Sequence, residues 1–120
     1  MSKTTLVIGV SSNSNRYANQ LVERLVGIGE EVIPFGRASG KVEGLEILTK
    51  WNENWEVDTV SLYLRDDRQS IYYKDILKLK PRRVIFNPGT ENSEFSELLV
   101  SAGIEVEIAC SLVLLSLNQY

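Results

Sequence analysis

The sequence predicts an α/β domain of three layers, with a mostly parallel sheet of five or six strands between two layers of helices. Short apolar runs typical of buried strands alternate with segments whose apolar residues recur at helical spacing. The connections between these segments are short, and such an alternation builds β-α-β units around a parallel sheet. This arrangement is called Rossmann-like, and the 120 residues form one such domain.

The first half of the chain supplies two main strands, one helix and one additional short strand. The helix keeps its apolar residues on one face and ends near Gly29. In chain order we predict a strand at 4–10, a helix at 17–28, a strand at 31–35, a loop at 36–44 and a short strand at 45–48. A single helical turn at 49–55 would place Trp51 and Trp55 on one face, for packing in the core or in a dimer.

The second half of the chain repeats the alternation of strands and helices. We predict strands at 58–64, 83–86 and 104–109, helices at 67–79 and 111–117, and a turn at 87–90 set by proline and glycine. Asn92 or Ser93 caps a further helix that ends at Gly103. The side chains of that helix expected to point inward are Phe95, Leu98, Leu99 and Ala102.

The composition excludes several classes of chemistry. The chain has no histidine and a single cysteine, Cys110. Zinc sites of the His/Cys type, catalytic sets that need a histidine and intrachain disulfides are therefore impossible. With 13 basic and 16 acidic residues the chain has no basic surplus for nucleic acid. It shows no signal peptide and no run long enough to cross a membrane, so we expect a cytoplasmic protein.

The segment from Thr5 to Arg16 predicts a phosphate site. An apolar strand stops at Gly9, small polar residues follow, and an arginine precedes the first helix. Glycine lets the backbone turn sharply, and the free amides at the start of a helix point toward an anion. An arginine adds a charge-assisted hydrogen bond. The candidate ligand-binding residues here are Gly9, Ser11, Ser12, Ser14, Asn15 and Arg16.

Three loops of the predicted sheet are expected to meet at one edge. In a parallel sheet, ligands bind outside the carboxyl ends of the strands, where the strand order reverses. The loops in question are residues 11–16, 36–41 and 65–69, and they carry Arg16, Arg37 and Arg65. We expect a small phosphate-bearing ligand at this edge, and we assign no catalytic residue and no metal ligand.

A nicotinamide dinucleotide does not fit the first loop. The dinucleotide fingerprint needs glycines at three spaced positions, but after Gly9 the chain has Ser11 and Ser14. NAD also needs an acidic residue after the second strand, where this chain has Arg37. An arginine suits a ribose phosphate instead, as in NADP or coenzyme A.

Several motifs, in order, give the sequence a family resemblance over about residues 4–115. It resembles the small stand-alone coenzyme A-binding domains, which share their fold with the N-terminal domain of the succinyl-CoA synthetase α subunit. The family typically has a strand followed by Gly-Ala-Ser and a basic residue, a Gly-x-x-Val-x-Pro segment, a Val-Asp pair, a Pro-Gly-x-Glu-Asn turn and a late cysteine. The matching residues are Gly9-Val10-Ser11 with Arg16, Gly29 to Pro34, Val57-Asp58, Pro88 to Asn92 and Cys110.

The resemblance implies a binding site for coenzyme A or an acyl-CoA. It implies pyrophosphate on the 11–16 loop, an adenosine end near residues 35–41, and a pantetheine arm that runs past residues 63–65 toward Asn87. The residues implied beyond the first loop are Pro34, Phe35, Gly36, Arg37, Lys41, Tyr63, Arg65 and Asn87. The family's Asn-Pro after the second strand is replaced by Gly36-Arg37, and the basic residue expected just after it is replaced by Ala38. We expect Arg37 or Lys41 to take the role of that basic residue.

Two other functions remain open from the sequence. One is an NADP-type enzyme or a lone ligase-like subunit, although the synthetase relatives pass phosphate through a histidine that this chain lacks. The other is a degenerate domain kept for protein contacts, with a homodimer as its form. A comparison of binding to coenzyme A, NAD, NADP and ATP distinguishes the enzyme from the coenzyme A module. Dimerisation without any ligand binding would favour the degenerate domain.

Overall fold

A computed structural model describes residues 3–120 and has the predicted architecture. The expected absence of a signal peptide concerns in part Met1 and Ser2, which lie outside the described residues. Five parallel strands form the main sheet in the order β2-β1-β5-β6-β7. In chain order the elements are β1 (Thr5–Ile8), α1 (Tyr17–Gly27), β2 (Val32–Phe35), β3 (Lys41–Val42), β4 (Leu45–Glu46), β5 (Thr59–Leu62), two 3-10 turns (Asp66–Arg68 and Ser70–Tyr72), α2 (Tyr73–Leu79), β6 (Arg83–Phe86), α3 (Ser93–Ser101), β7 (Glu105–Ile108) and α4 (Ser111–Ser116).

The strand order reverses between β1 and β5. From β1 the chain passes through α1 to β2 on one side, and it then crosses to β5 on the other side of β1. The loops that leave β1 and β5 therefore run in opposite directions and open a crevice at the carboxyl ends of these strands. The fold thus places a ligand crevice beside Gly9 and Tyr63, which follow β1 and β5 directly.

Two apolar layers hold the helices against the sheet. Alternate residues of a strand face opposite sides, so Val7 packs with Leu21 and Leu25 of α1, while Leu6 and Ile8 pack on the other side. That other layer also contains Ile76 of α2 with Phe95 and Leu99 of α3. Strands β1, β5 and β6 are buried throughout their length, as is typical of the central strands of a parallel sheet with helices on both faces.

The predicted helix at 67–79 is wrong in its first half. The structure has two 3-10 turns there, and the α-helix begins only at Tyr73. The fully buried side chain of Gln69 donates to the carbonyl oxygens of Leu64 (2.9 Å) and Thr90 (2.8 Å). These bonds hold the segment around Gln69 against the loops that follow β5 and β6. The backbone there forms 3-10 turns instead of a regular helix from Asp67.

The segment at 49–55 is not helical either. The Asn52 side chain accepts a hydrogen bond from the Asn54 amide (2.9 Å), a local turn that competes with a helix. The expected packing of the tryptophans in the core is nevertheless present, because Trp51 and Trp55 lie edge-on to Phe35 at 5.3 and 5.9 Å between ring centroids. Of the predicted strand at 45–48, only Leu45–Glu46 forms a strand, paired with β3 in a hairpin apart from the main sheet. Leu48 joins the main sheet through a single bridge to Phe35.

Helix α3 buries a narrower stripe than its spacing predicts. Phe95 and Leu99 are fully buried, whereas Leu98 is 42% exposed and Ala102 is exposed as well. Asn92 caps this helix, as expected, because its Oδ1 accepts from the Phe95 amide at 3.0 Å. The prediction of inward-pointing side chains is therefore confirmed for Phe95 and Leu99 and wrong for Leu98 and Ala102.

An ion pair at the amino-terminal edge of the sheet makes stability depend on pH. Arg82 donates from Nε and Nη2 to the two carboxylate oxygens of Asp58, at 2.9 and 3.0 Å. These bonds hold the pKa of Asp58 below its usual value, although partial burial acts in the opposite direction. The stabilisation is therefore present above the carboxyl's unfolded pKa of about 3.9 and is lost as the pH falls through the lower folded value.

We expect the free energy of unfolding of Arg82→Ala to fall less steeply than that of the wild type as the pH is lowered through the range in which Asp58 is protonated. The free energy of unfolding would be measured by urea denaturation at a series of pH values from neutral to acidic, with the exposed Arg24→Ala as the matched control. A control that flattens the profile as much as Arg82→Ala would show that the Asp58 pair is not its source.

Within residues 3–120, no helix combines the length and the apolar character needed to cross a bilayer.

Candidate functional site

A groove of about 730 Å³ lies at the carboxyl ends of β1 and β5. Three loops form its walls, namely those that follow β1, β2 and β5, and Pro88 after β6 lies at one end. Its volume is within the ordinary range for small-molecule sites. The groove occupies the crevice that the reversal of strand order creates, so the loops predicted to meet at one edge do meet there.

Gly9 lets the loop after β1 pass close to β5. Its φ is +102°, and a Cβ there would lie 3.1 Å from the carbonyl carbon of Tyr63. A side chain at this position would be both strained and crowded. The loop beyond it is fixed by Asn19, whose buried amide donates to the Ser11 carbonyl oxygen at 2.8 Å. Ser11, Ser12 and Asn15 line the groove as a result.

The amino end of α1 opens into the same groove. Arg16 is the N-cap residue, its side chain caps no amide, and the first turn carries no acidic residue. Tyr17 and Ala18, whose amides begin the helix, line the groove. The first amides of a helix have no partner within it and carry a partial positive charge. This end of the groove therefore favours an anion.

The loop after β2 packs directly on the loop after β1. A Cβ at Gly36 would overlap the carbonyl oxygen of Val10, and one at Gly40 would lie 3.1 Å from the Cβ of Ser12. Gly36 is held in place because its amide donates to the Leu48 carbonyl oxygen at 2.9 Å. This close crossing brings Phe35 and Arg37 to the groove wall.

The groove is positively charged although the chain as a whole carries a net charge of −3. Arg16, Arg37 and Arg68 line it, and its lining contains no aspartate or glutamate. Within residues 3–120, none of these arginines forms an ion pair or a side-chain hydrogen bond. Three unpaired guanidinium groups beside free helix amides are an arrangement suited to phosphate.

Tyr63 lies at the floor of the groove with its hydroxyl turned into the protein. Among the described residues, its Oη is a buried side-chain oxygen that has no hydrogen-bond partner. Burial raises the pKa of this phenol well above its ordinary value, and the neighbouring Cys110 adds to that rise. Tyr63 therefore stays neutral, a potential hydrogen-bond donor rather than an anion.

Several of the predicted binding residues lie outside the groove lining. Arg65 is exposed and pairs with Asp67 at 3.3 Å, and Lys41 lies exposed at the start of β3. Ser14 is exposed in the β1 loop without lining the groove, and Pro34 is buried within β2. The structure thus brings together nine of the predicted residues, which are Gly9, Ser11, Ser12, Asn15, Arg16, Phe35, Gly36, Arg37 and Tyr63.

Asn87 has a structural place rather than one in the groove. It is fully buried, and its Nδ2 donates to Ser61 Oγ (2.8 Å) and to the Leu62 carbonyl oxygen (2.9 Å). Its Oδ1 accepts from the Ser111 amide at 2.8 Å, and the Ser61 and Ser111 hydroxyls are 2.9 Å apart. Both amide hydrogens are used, so this side chain joins β5, β6 and the start of α4.

Sequence reasoning missed some of the residues that line the groove. Arg68, Leu64 and Tyr72 come from the segment after β5, and Pro88 comes from the turn after β6. The predicted loop at 65–69 includes Arg68, but only Arg65 is a candidate there. The sequence Arg65-Asp66-Asp67-Arg68 gives no local sign of which arginine lines the groove.

Among residues 3–120, no three His, Cys, Asp or Glu side chains lie close enough together to hold a metal ion.

Comparison with solved structures gives close matches. A crystal structure of an uncharacterized protein is 47% identical, with a TM-score of 0.95 over 100% of this chain and 99% of that one. A conserved hypothetical protein from Pyrococcus furiosus is 26% identical, with a TM-score of 0.74 over 89% and 92% of the two chains. The structure of cell-free ID.343 from Thermus thermophilus is 24% identical, with a TM-score of 0.80 over 90% and 82%, and it supports the fold.

Comparison with proteins of curated function gives no match. The family model described as CoA binding domain matches residues 3–116, nearly the whole chain. The resemblance that the motifs from Gly9 to Cys110 indicate is thereby confirmed. The chain belongs to the CoA-binding domain family.

Proposed function

We propose that this chain is a small binding module for coenzyme A or an acyl-CoA. One observation carries the proposal, which is the groove that holds Arg16, Arg37 and Arg68 without a carboxylate, beside the uncapped amino end of α1. Unpaired arginines on a protein surface are ordinary. Three that converge on one groove, in a member of the CoA-binding domain family, are best explained by a ligand with several phosphate groups.

In the proposed mode of binding, the pyrophosphate contacts the β1 loop and the first amides of α1. The adenosine end lies toward Phe35 and Arg37, where a guanidinium can reach the ribose phosphate. The pantetheine arm passes Tyr63 and Leu64 toward Pro88, along the other half of the groove. The adenosine end thus lies on the β2 side of the β1 loop, and the pantetheine arm lies on its β5 side.

The proposal is for binding without a chemical step. The groove lining offers serine, asparagine, tyrosine and arginine side chains, and a general base of suitable pKa is not among them. Tyr63 is held neutral by burial, which makes it a poor base near neutral pH. The lining therefore suits recognition of the ligand better than its conversion.

NADP is the second candidate ligand, and Arg37 is the observation that favours it. A guanidinium beside the β2 loop serves a 2′-phosphate of NADP as well as a 3′-phosphate of coenzyme A. The β1 loop argues against NADP, because Ser11 and Ser14 stand where the dinucleotide fingerprint has glycine.

A ligand panel tests the proposal. Thermal unfolding would be followed with coenzyme A, an acyl-CoA, NADP, NAD and ATP, and positive results would be confirmed by calorimetry. A ligand at 100 times its dissociation constant stabilises the folded state by about 2.7 kcal/mol. We expect this with coenzyme A or acyl-CoA. No shift with either at millimolar concentration would contradict the proposal, and a larger shift with NADP would favour the second candidate.

Binding is expected to be independent of magnesium. Arginine side chains and helix amides, rather than a metal held by carboxylates, face the phosphates in the proposed mode of binding. The dissociation constant for coenzyme A, measured by calorimetry, should agree within about twofold in EDTA and in millimolar Mg²⁺. A clear loss of affinity in EDTA would show that a cation takes part.

A further inference from the structure

Two arginines in the segment after β5 have different environments. Arg65 is exposed, pairs with Asp67 at 3.3 Å and lies outside the groove lining. Arg68, three residues later, lines the groove and forms no ion pair within residues 3–120. The two arginines of this segment thus differ, because Arg65 pairs with a carboxylate outside the groove, whereas Arg68 lies in the groove lining without such a partner.

The backbone that carries Arg68 is fixed by its neighbour. Gln69 is fully buried, and its Nε2 donates to the carbonyl oxygens of Leu64 and Thr90. Its Oε1 accepts from Asn92 Nδ2 at 3.0 Å. A side chain that starts from a fixed backbone loses less freedom when it binds, so Arg68 is partly preorganised.

The sheet order places Arg68 opposite the other groove arginines. Arg16 follows β1 and Arg37 follows β2, whereas Arg68 follows β5 on the other side of β1. A ligand phosphate on the β1 loop therefore has Arg37 on one side and Arg68 on the other. The amino end of α1 with Arg16 can satisfy one phosphate, and a second phosphate displaced toward β5 needs another cation.

We propose that Arg68 binds the pantetheine-side phosphate of the pyrophosphate, and so selects a diphosphate-bridged ligand over one with a single phosphate at this place. This inference rests on the proposed function and assigns one of its groups. Arg68 is a specificity-determining residue in this scheme, and its role does not depend on the recognition of the ribose phosphate.

The test compares Arg68→Ala with Arg65→Ala, using two ligands and calorimetry. Coenzyme A has the pyrophosphate, whereas adenosine 3′,5′-bisphosphate has a single phosphate in its place and keeps the ribose phosphate. We expect Arg68→Ala to weaken coenzyme A about tenfold or more and the bisphosphate by less than about twofold. Arg65→Ala should leave both dissociation constants unchanged, and Arg68→Lys should recover part of the loss. Circular dichroism melts would verify that all variants are folded.

The outcomes separate the inference from the proposed function. If the wild-type protein does not bind coenzyme A, both fail. If it binds and Arg68→Ala has no more effect than Arg65→Ala, only the assignment of Arg68 is overturned. An equal loss for the two ligands also overturns it, since the contact would then be to a phosphate that both ligands share. A loss confined to coenzyme A supports it.

Discussion

Asn87→Ala is expected to lower the free energy of unfolding by about 3 kcal/mol or more. Two buried backbone groups lose a hydrogen bond in this variant. The Leu62 carbonyl oxygen accepts from the Asn87 side chain, and the Ser111 amide donates to it. The Ser61 hydroxyl loses one of its two partners as well. A buried polar group without a partner costs roughly 1–3 kcal/mol, and the losses fall on the end of β5 and on the start of α4.

Urea denaturation would measure this loss, with Asn15→Ala as the matched control. The Asn15 side chain is exposed and forms no hydrogen bond within residues 3–120, so its removal should change the free energy of unfolding by less than about 0.5 kcal/mol. If Asn87→Ala were as stable as its control and bound coenzyme A more weakly than the wild type does, Asn87 would be a ligand contact instead of a structural residue.

Arg16→Ala is expected to weaken coenzyme A binding about tenfold or more. A charge-assisted hydrogen bond to a phosphate contributes roughly 1.5–3 kcal/mol, and Arg16 lines the groove at the amino end of α1. The melting temperature without ligand should barely move, because the side chain is exposed and touches none of the core. Added salt should weaken binding by the wild type more than by the variant.

The control for Arg16 is on the same helix. Arg24 lies in the last turn of α1, outside the groove, where it donates to the Ser116 hydroxyl at 3.4 Å. Calorimetry with Arg24→Ala should return the wild-type dissociation constant. Equal affinities for Arg16→Ala and the wild type would remove Arg16 from the site and leave the loop amides to bind the phosphate.

Much of the fold could be predicted because its central strands, β1, β5 and β6, are buried on both faces. Residues such as Leu6, Val7 and Ile8 are apolar without interruption, and that pattern is legible in the sequence alone. Gly9 and the small polar residues after it were informative for a different reason, which is that glycine and small polar residues favour a tight turn. Most of the candidate residues in this segment, from Gly9 to Arg16, do line the groove, and Ser14 is the exception.

The other half of the site depends on contacts that no local pattern records. Gln69 reaches Thr90, 21 residues along the chain, and these bonds accompany a 3-10 turn where a helix was expected. That turn decides which of Arg65 and Arg68 lines the groove. Asn87 is a similar case, because a polar residue at the end of a strand gives no sign in the sequence of whether it faces a ligand or the protein interior.

The crossing of the β1 and β2 loops couples these two loops mechanically. Any Cβ at Gly36 would overlap the Val10 carbonyl oxygen. A substitution at Gly36 is therefore expected to displace the β1 loop, and with it the side chains that this loop brings to the groove. Two segments that are far apart in the sequence thus respond to mutation as a single unit.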